Sequence, residues 1–239
     1  MSLRSIVVRV VVDNRVANSE FMSTWGLSLH TELIYDDGVR KLLFDVSGDY
    51  EVWQHNARLL KINPREICAV VISHWHGDHA GALREVLSLI GGEVPVYSPS
   101  GLRRWGAGEF NVIECGEGTE VLPDVYTTGT AGYLIAEHGL AIRLAGKEIV
   151  LLVGCSHPGL RHLIRRATEV FGGGRMYSVV GGFHITSEAE GVDVAEYLRS
   201  VGVKYVVPLH CTGDEARSAI ERVFRADCIR TGAGGVIKF

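Results

Sequence analysis

Residues 73–81 read Ser-His-Trp-His-Gly-Asp-His-Ala-Gly, and they directly follow the apolar run Ile-Cys-Ala-Val-Val-Ile at 67–72. The run is short, rich in β-branched residues and apolar on both faces, which predicts a strand buried on both sides. Residues 80–89 show helical spacing, with apolar side chains along one face. We therefore expect the cluster of imidazoles and one carboxylate on a strand-to-helix turn, at the carboxyl edge of a sheet where α/β folds bind ligands.

The spacing of these polar side chains predicts two cation sites. In an extended segment His74 and His76 point to the same side, because side chains alternate with a period of two. Asp78 and His79 follow where the chain turns into the helix, so they face elsewhere and can bind a second cation. Imidazole nitrogens and carboxylate oxygens suit zinc, and they also suit iron and manganese. A run of exposed polar loop residues is the alternative interpretation.

Overall composition narrows the class of protein. The chain has 24 basic and 28 acidic residues and a formal charge of -4, which gives no reason to expect nucleic acid or an anionic membrane as a partner. No stretch reaches the roughly 18 apolar residues that span a bilayer, and the first residues do not resemble a secretory signal. Five cysteines without a C-x-x-C pair predict free thiols and a cytoplasmic location. Association into a homo-oligomer is left open.

Apolar patterning predicts the other elements. An Asp-Asp-Gly turn joins two strands into a hairpin at residues 27–35 and 40–44. Residues 101–119, which include Trp105 and Phe110, are interpreted as an irregular connection with one strand. Further strands are expected at 6–12, 94–97, 125–128, 141–144, 148–153, 176–180, 204–207 and 235–238, and helices at 51–61, 160–171 and 187–201, with one more helix before the last strand.

Four buried strands each end in a small-residue turn that bears histidine. If these strands are parallel, their turns meet at one sheet edge, and distant parts of the chain converge there. The expected ligands form two groups of three: His74, His76 and His157 for metal 1, and Asp78, His79 and His210 for metal 2. His184 follows the remaining strand and completes the set of converging imidazoles.

The pattern H-x-H-x-D-H at 74–79 resembles the metallo-β-lactamase fold superfamily. The resemblance implies an α/β fold, a four-layer αβ/βα sandwich in which two central mixed β-sheets are flanked by helices. It also implies a single domain, residues 1–239, made of two similar halves at about 1–122 and 123–239. A chain of this length is sufficient for the core of such a domain.

Three comparisons with the superfamily pattern refine the expected site. The usual third ligand of metal 1 lies in a G-H-T-x-G turn, whereas residues 128–132 read Thr-Gly-Thr-Ala-Gly, so His157 is the substitute. The superfamily's bridging aspartate aligns with Cys155, which either binds a metal as thiolate or simply packs. Residues 42–48 resemble the strand-end motif L-F-D-T-G, which makes Asp45 a buried support of the metal loop. A solvated turn is the alternative for Asp45.

The motifs G-C-S-H-P-G at 154–159, G-G-F-H at 181–184 and H-C-T-G at 210–213 resemble one branch of the superfamily. Its members are described as 7,8-dihydropterin-6-methyl-4-(β-D-ribofuranosyl)aminobenzene-5'-phosphate synthases. The branch implies a transferase of methanopterin-type cofactor synthesis that couples a dihydropterin-methyl pyrophosphate to a ribofuranosylaminobenzene phosphate. It also implies a small phosphorylated substrate and two divalent metal ions, zinc by preference and otherwise iron or manganese.

The resemblance also suggests roles for individual residues. Asp78 and His184 are the expected catalytic residues, and His184 is placed to bind a substrate phosphate or carry a proton. Phe183, like Trp75, is a candidate to stack on a flat heterocycle. Thr212 begins a helix whose free N–H groups are expected to hold a phosphate.

Two alternatives share these residues. One is a dinuclear-metal hydrolase of a phosphodiester, thioester or lactone, which is the common chemistry of the superfamily. The other is a non-catalytic ligand-sensing protein on the same fold, which predicts lost metal ligands.

Overall fold

The structure is a computed structural model that describes residues 2–91, 93–101 and 110–239. The described residues form thirteen strands. In chain order the strands are β1 (Leu3–Val12), β2 (Ser28–Tyr35), β3 (Gly38–Phe44), β4 (Ile67–Val71), β5 (Val96–Ser98), β6 (Val112–Glu114), β7 (Glu120–Leu122), β8 (Val125–Thr127), β9 (Leu140–Arg143), β10 (Glu148–Val153), β11 (Arg175–Gly182), β12 (Tyr205–Leu209) and β13 (Val236–Lys238).

These strands form two mixed sheets. The first has the order β13-β1-β2-β3-β4-β5-β6, and the second has the order β12-β11-β10-β9-β8-β7. In the first sheet β4 runs parallel to both of its neighbours, and in the second sheet β10, β11 and β12 run parallel to one another. The carboxyl ends of β10, β11 and β12 therefore lie at one edge of the second sheet.

The described residues form six α-helices, of which five pack on the outer faces of the sheets and the short α2 carries Asp78 and His79. Asp49 caps the first helix by accepting a hydrogen bond from Val52 N, and Ser187 forms a capping box with Glu190 at the start of the fifth. In chain order the helices are α1 (Tyr50–Leu59), α2 (Gly77–Ala80), α3 (Leu83–Ile90), α4 (Leu160–Glu169), α5 (Glu188–Ser200) and α6 (Asp214–Phe224).

Three apolar clusters hold the layers together. The largest contains inward-facing residues of both sheets, including Phe44 and Leu152, and is the interior of the sandwich. A second cluster packs the first sheet against α1 and α3 around Trp53, and a third packs the second sheet against α4, α5 and α6 around Phe224. The layers are thus helices, sheet, sheet and helices. This confirms the predicted αβ/βα sandwich with two central mixed sheets.

Most predicted elements are present, with shifts of a few residues at their ends. The Asp-Asp-Gly hairpin is confirmed, since Tyr35 of β2 pairs with Gly38 of β3. The helix predicted at 80–89 is present as α3 but begins three residues later, because residues 77–80 form the separate short helix α2. Within residues 101–119, the strand is β6, and residues 102–109, which include Trp105, lie outside the described residues.

The last strand of the chain belongs to the first sheet. β13 pairs with β1 at the edge of the first sheet, although it follows all strands of the second sheet.

Within the described residues, no helix is long and apolar enough to cross a membrane. All five cysteines are free thiols.

Candidate metal centre

The predicted ligands follow the carboxyl ends of four strands. The chain leaves β4 into the turn with His74 and His76, and β10 leads to His157, β11 to His184 and β12 to His210. β4 belongs to the first sheet and the other three strands belong to the second, so the prediction of a single sheet edge is wrong. The turns of both sheets meet instead at one end of the sandwich, where the imidazole rings contact one another.

His74, His76 and His157 form the first ligand group, in which one ligand atom of each residue lies within 4.8 Å of the others. His74 Nε2 is 3.0 Å from His76 Nδ1. The ring centroid of His157 lies 4.7 Å from that of His74 and 5.0 Å from that of His76. Residues 128–132 contain no histidine, and His157 is the third imidazole of this cluster.

Asp78, His79 and His210 form the second ligand group, within the same distance limit of 4.8 Å. His79 Nε2 is 3.1 Å from His210 Nε2, and Asp78 Oδ2 is 3.3 Å from His210 Nε2. The two groups adjoin, because the rings of His74 and His79 have centroids 4.1 Å apart. Side chains more than 130 positions apart in the chain therefore converge on one place.

Asp45 is fully buried beneath the second ligand group. Its carboxylate accepts hydrogen bonds from Ser73 N and Ser73 Oγ, each at 2.7 Å, and lies 2.7 Å from His79 Nδ1. Burial would lower the pKa of His79, but the Asp45 carboxylate raises that pKa above its ordinary value. With Nδ1 held by Asp45, the Nε2 atom of His79 faces the other ligands, which is how buried carboxylates orient metal-binding imidazoles.

Glu137, which the sequence did not indicate, holds the turn that carries His157. Its Oε1 atom accepts hydrogen bonds from Cys155 N at 2.9 Å and Ser156 N at 2.7 Å. Its Oε2 atom accepts from His157 N at 2.8 Å and lies 2.8 Å from His157 Nδ1. Burial would raise the pKa of Glu137, but these hydrogen bonds outweigh burial and lower the pKa. Glu137 therefore stays ionised and leaves His157 Nε2 free for a ligand.

Asp13 and Asn14, also absent from the predicted site, hold His210 in the same way. Asp13 Oδ1 accepts a hydrogen bond from His210 N at 2.6 Å, and Asn14 Oδ1 lies 2.9 Å from His210 Nδ1. His210 has a φ of +43°, in the left-handed region that costs energy for a non-glycine residue. The Asp13 contact fixes the backbone there, and the Asn14 contact leaves His210 Nε2 facing Asp78.

Four side chains of the two groups have pKa shifts that suit divalent metal ions, whereas Asp45 raises the pKa of His79. Burial and then the neighbouring imidazoles lower the pKa of His74 well below its ordinary value, and burial also lowers the pKa of His76 and His210. Burial would raise the pKa of Asp78, but the adjacent His210 and His79 hold that pKa well below its ordinary range. Neutral imidazole and ionised carboxylate are the forms that bind metals.

Cys155 lies between the two ligand groups. Its Sγ atom is 3.3 Å from His79 Nε2, and it shares one cluster with His74 and His79 and another with His210 and Cys211. The contact with Cys211 and burial raise the pKa of the Cys155 thiol. The geometry places the thiol within reach of a metal, whereas the raised pKa favours the protonated form.

Of the four residues predicted to contact the substrate, one has an exposed side chain and three have buried side chains. The His184 side chain is exposed, and its ring centroid lies 4.6 Å from that of His157. Stacking by Phe183 is contradicted, since its ring is only 3% exposed and packs in the third apolar cluster. Trp75 is likewise buried, in the second cluster. Thr212 is 1% exposed, and its Oγ1 atom accepts a hydrogen bond from Phe183 N.

Two of the backbone N–H groups expected to hold a phosphate at the start of α6 already have partners within the protein. The backbone N–H of Thr212 donates to Leu209 O, and that of Gly213 donates to Ile185 O. These two groups are therefore used within the protein. They cannot bind a phosphate without breaking the turn that carries His210.

Sequence comparison agrees with this geometry. Residues 35–152 match the sequence profile of the Metallo-beta-lactamase superfamily. The 7,8-dihydropterin-6-methyl-4-(beta-D-ribofuranosyl)-aminobenzene-5'-phosphate synthase of Methanocaldococcus jannaschii is 30% identical, over 93% of this chain and 92% of that protein. The chain belongs to the metallo-beta-lactamase superfamily, and it is a metal-dependent enzyme.

Solved structures share the fold over almost the whole chain. The hydrolase Tm1679, described as metal-dependent and of the beta-lactamase superfamily, has a TM-score of 0.78 at 24% identity, over 97% of this chain and 98% of that one. A diphosphatase from the PhnP family has a TM-score of 0.64 at 17% identity, over 99% of this chain and 98% of that one. At such identities these likenesses establish the fold alone.

Proposed function

We propose that the protein couples a dihydropterin-methyl pyrophosphate to a ribofuranosylaminobenzene phosphate. The observation that carries this proposal is the 30% identity with the synthase of Methanocaldococcus jannaschii, which extends over 93% of the chain. A match of that extent reaches far beyond the histidine motif at 74–79. The substrates are then small phosphorylated molecules, and the five free thiols support a cytoplasmic location.

We further propose that the two ligand groups hold two divalent metal ions. The first group, His74, His76 and His157, binds one ion, and the second group, Asp78, His79 and His210, binds the other. Nitrogen and oxygen donors in this number favour zinc and are also compatible with iron or manganese. When bound, the ions supply positive charge that neutralises the pyrophosphate leaving group.

The chain's own residues perform the remaining tasks in this proposal. The arylamine nitrogen forms a bond to the methylene carbon next to the pterin, the carbon–oxygen bond to pyrophosphate breaks, and pyrophosphate leaves. The nitrogen loses one proton, which the exposed imidazole of His184 accepts. Asp78 is a metal ligand and, as an ionised carboxylate beside His210, keeps the second ligand group in position. Asp45 and Glu137 orient the imidazoles on which both groups depend.

Hydrolysis of a phosphodiester, thioester or lactone is the second candidate. It is supported by local similarity to a ribonuclease Z of Exiguobacterium, 33% identical over 38% of the chain. This similarity is confined to a shorter part of the chain than the synthase match. The hypothesis of a non-catalytic sensor predicts that metal ligands are missing, whereas all six proposed ligands are present and clustered.

The test is to incubate the metal-loaded enzyme with both coupling substrates and to measure coupled product and pyrophosphate. We expect the two products in equal amounts. His184→Gln should retain both metal ions but lower kcat by a factor of about 10² or more, the usual contribution of a positioned proton acceptor. Rapid hydrolysis of bis(p-nitrophenyl) phosphate without any coupled product would refute the transferase proposal and favour the hydrolase.

A further inference from the structure

Only two aromatic side chains among the described residues are exposed, and both lie beside the metal centre. Trp25 is 63% exposed and Tyr133 is 100% exposed, and Leu134 next to Tyr133 is 92% exposed. The other aromatic side chains in the described ranges are buried or half-buried. Large apolar side chains exposed together with polar groups commonly mark a binding surface.

Trp25 borders the second ligand group. Its ring centroid lies 5.0 Å from that of His210, so part of the indole is packed while much of it stays open. The indole lines a cleft of about 530 Å³ together with Asp78 and Asp49. Gly26 makes this approach possible, because a Cβ atom there would lie 2.6 Å from the Asp78 carbonyl oxygen.

Tyr133 borders the first ligand group from another side. Tyr133 and Leu134 line a cleft of about 440 Å³ that also contains His76. Their loop is closed by Ala131 and Glu137, whose backbone N–H and C=O groups exchange two hydrogen bonds of 2.9 Å. Since Glu137 also holds the His157 turn, the loop that carries Tyr133 is anchored to the support of the metal centre.

We propose that Trp25 and Tyr133 are the stacking surfaces for the two flat rings that the reaction joins, an inference that rests on the proposed coupling function. Each cleft contains one exposed aromatic side chain beside one ligand group. The Trp25 cleft contains Asp78 of the second group, and the Tyr133 cleft contains His76 of the first group. Two ring systems bound there would both adjoin the metal centre, as a coupling reaction requires and hydrolysis of a single substrate does not.

The chemistry of the clefts assigns each ring to one of them. The Trp25 cleft binds the pterin, because the Asp49 carboxylate can accept hydrogen bonds from the amino and ring N–H groups of a pterin edge. The indole also matches a bicyclic ring in area. The Tyr133 cleft binds the aminobenzene ring, since no carboxylate lines it among the described residues and a phenol matches a single ring.

Binding measurements on the metal-loaded full chain test this assignment without turnover. The probes are 6-hydroxymethyl-7,8-dihydropterin, which has no leaving group, and ribofuranosylaminobenzene 5'-phosphate. We expect Trp25→Ala to weaken pterin binding about 10-fold and to change aminobenzene binding less than twofold, with the reverse pattern for Tyr133→Ala. Trp25→Phe and Tyr133→Phe should retain most of the affinity. Leu59→Ala, which removes an exposed side chain of α1, is the control.

The outcomes separate this inference from the proposed function. If both probes bind in the expected pattern but no product forms, the stacking surfaces stand and the coupling function fails. If the enzyme couples its substrates while the alanine variants bind both probes like the wild type, the stacking surfaces are refuted. Equal weakening of both probes by one variant, exchanged preferences, or failure of the wild type to bind either probe also overturns the inference. Metal analysis of each variant ensures that lost binding does not follow from lost metal.

Discussion

Replacing Glu137 by glutamine should damage the first ligand group without touching a ligand. Oε1 of the carboxylate accepts hydrogen bonds from the backbone N–H groups of Cys155 and Ser156. Oε2 accepts a hydrogen bond from the backbone N–H of His157 and also faces His157 Nδ1. A glutamine has one oxygen, so its amide nitrogen must take the place of one carboxylate oxygen. If the glutamine oxygen keeps the hydrogen bonds from Cys155 N and Ser156 N, the amide N–H₂ faces the backbone N–H of His157. Both of these groups are donors, so no hydrogen bond forms between them.

The energetic cost follows from the bonds that are lost. A buried donor without a partner costs about 1–3 kcal/mol, and a hydrogen bond to a charged acceptor contributes about 1.5–3 kcal/mol. Removing the buried charge of Glu137 offsets part of this loss. We therefore expect the free energy of unfolding of the metal-free protein to fall by about 3 kcal/mol.

The same substitution should weaken metal binding through the tautomer of His157. An amide N–H₂ beside Nδ1 favours the form in which Nδ1 accepts and the proton sits on Nε2, the nitrogen that would bind the metal. We expect the affinity of the first ligand group to fall about 10- to 100-fold.

Urea unfolding of the chelator-treated protein measures the first effect, and competition with a chromophoric chelator measures the second. Glu196→Gln, a change of the same kind at an exposed position on α5, should alter unfolding by less than about 0.5 kcal/mol. Unfolding of Glu137→Gln within that margin of the wild type, with both ions bound as tightly, would refute the role given to Glu137.

Three further predictions concern other buried groups. Gly154→Ala would place a Cβ atom 2.1 Å from Ser73 Oγ, so urea unfolding should show a loss of about 1–3 kcal/mol; an unchanged midpoint would contradict the clash. Asp45→Asn should weaken metal binding at His79 about 10- to 100-fold in chelator competition, and wild-type affinity would show that Asp45 does not orient the ring. Burial lowers the pKa of His30 to about 4, below its value in the unfolded chain. The contribution of neutral His30 to the free energy of unfolding should therefore be complete above pH 6.5 and be lost as the pH drops towards 4. The total loss should be about 3 kcal/mol. His30→Leu should flatten that pH dependence in urea titrations, and an unaltered pH profile would exclude His30 as its cause.

The side chains that cluster in the candidate metal centre could be predicted from the sequence because their signals are local. The spacing of His74 and His76 and the position of each histidine after a buried strand can both be read without tertiary information. The sequence does not show that β4 and the other three strands lie in different sheets, because strand pairing depends on contacts distant in the chain. The shared end of the sandwich nevertheless brings the same side chains together.

The supporting residues could not be predicted, since their roles depend on packing between distant segments. Glu137 lies 20 positions before His157, and no motif links the two. The error at Phe183 has a different cause. Phe183 lies just past the end of β11, where an aromatic residue type fits a ring packed in the core as well as one that stacks on a ligand.

The most direct test of the two-ion centre is metal content per chain, measured by elemental analysis after loading and desalting. We expect two ions for the wild type, one for His76→Ala, which removes a ligand of the first group, and one for His210→Ala, which removes a ligand of the second. Anomalous diffraction from crystals of each protein would assign the remaining ion to its group. A wild-type protein with at most one ion, or two ions retained in both variants, would contradict the arrangement of ligands proposed for this enzyme.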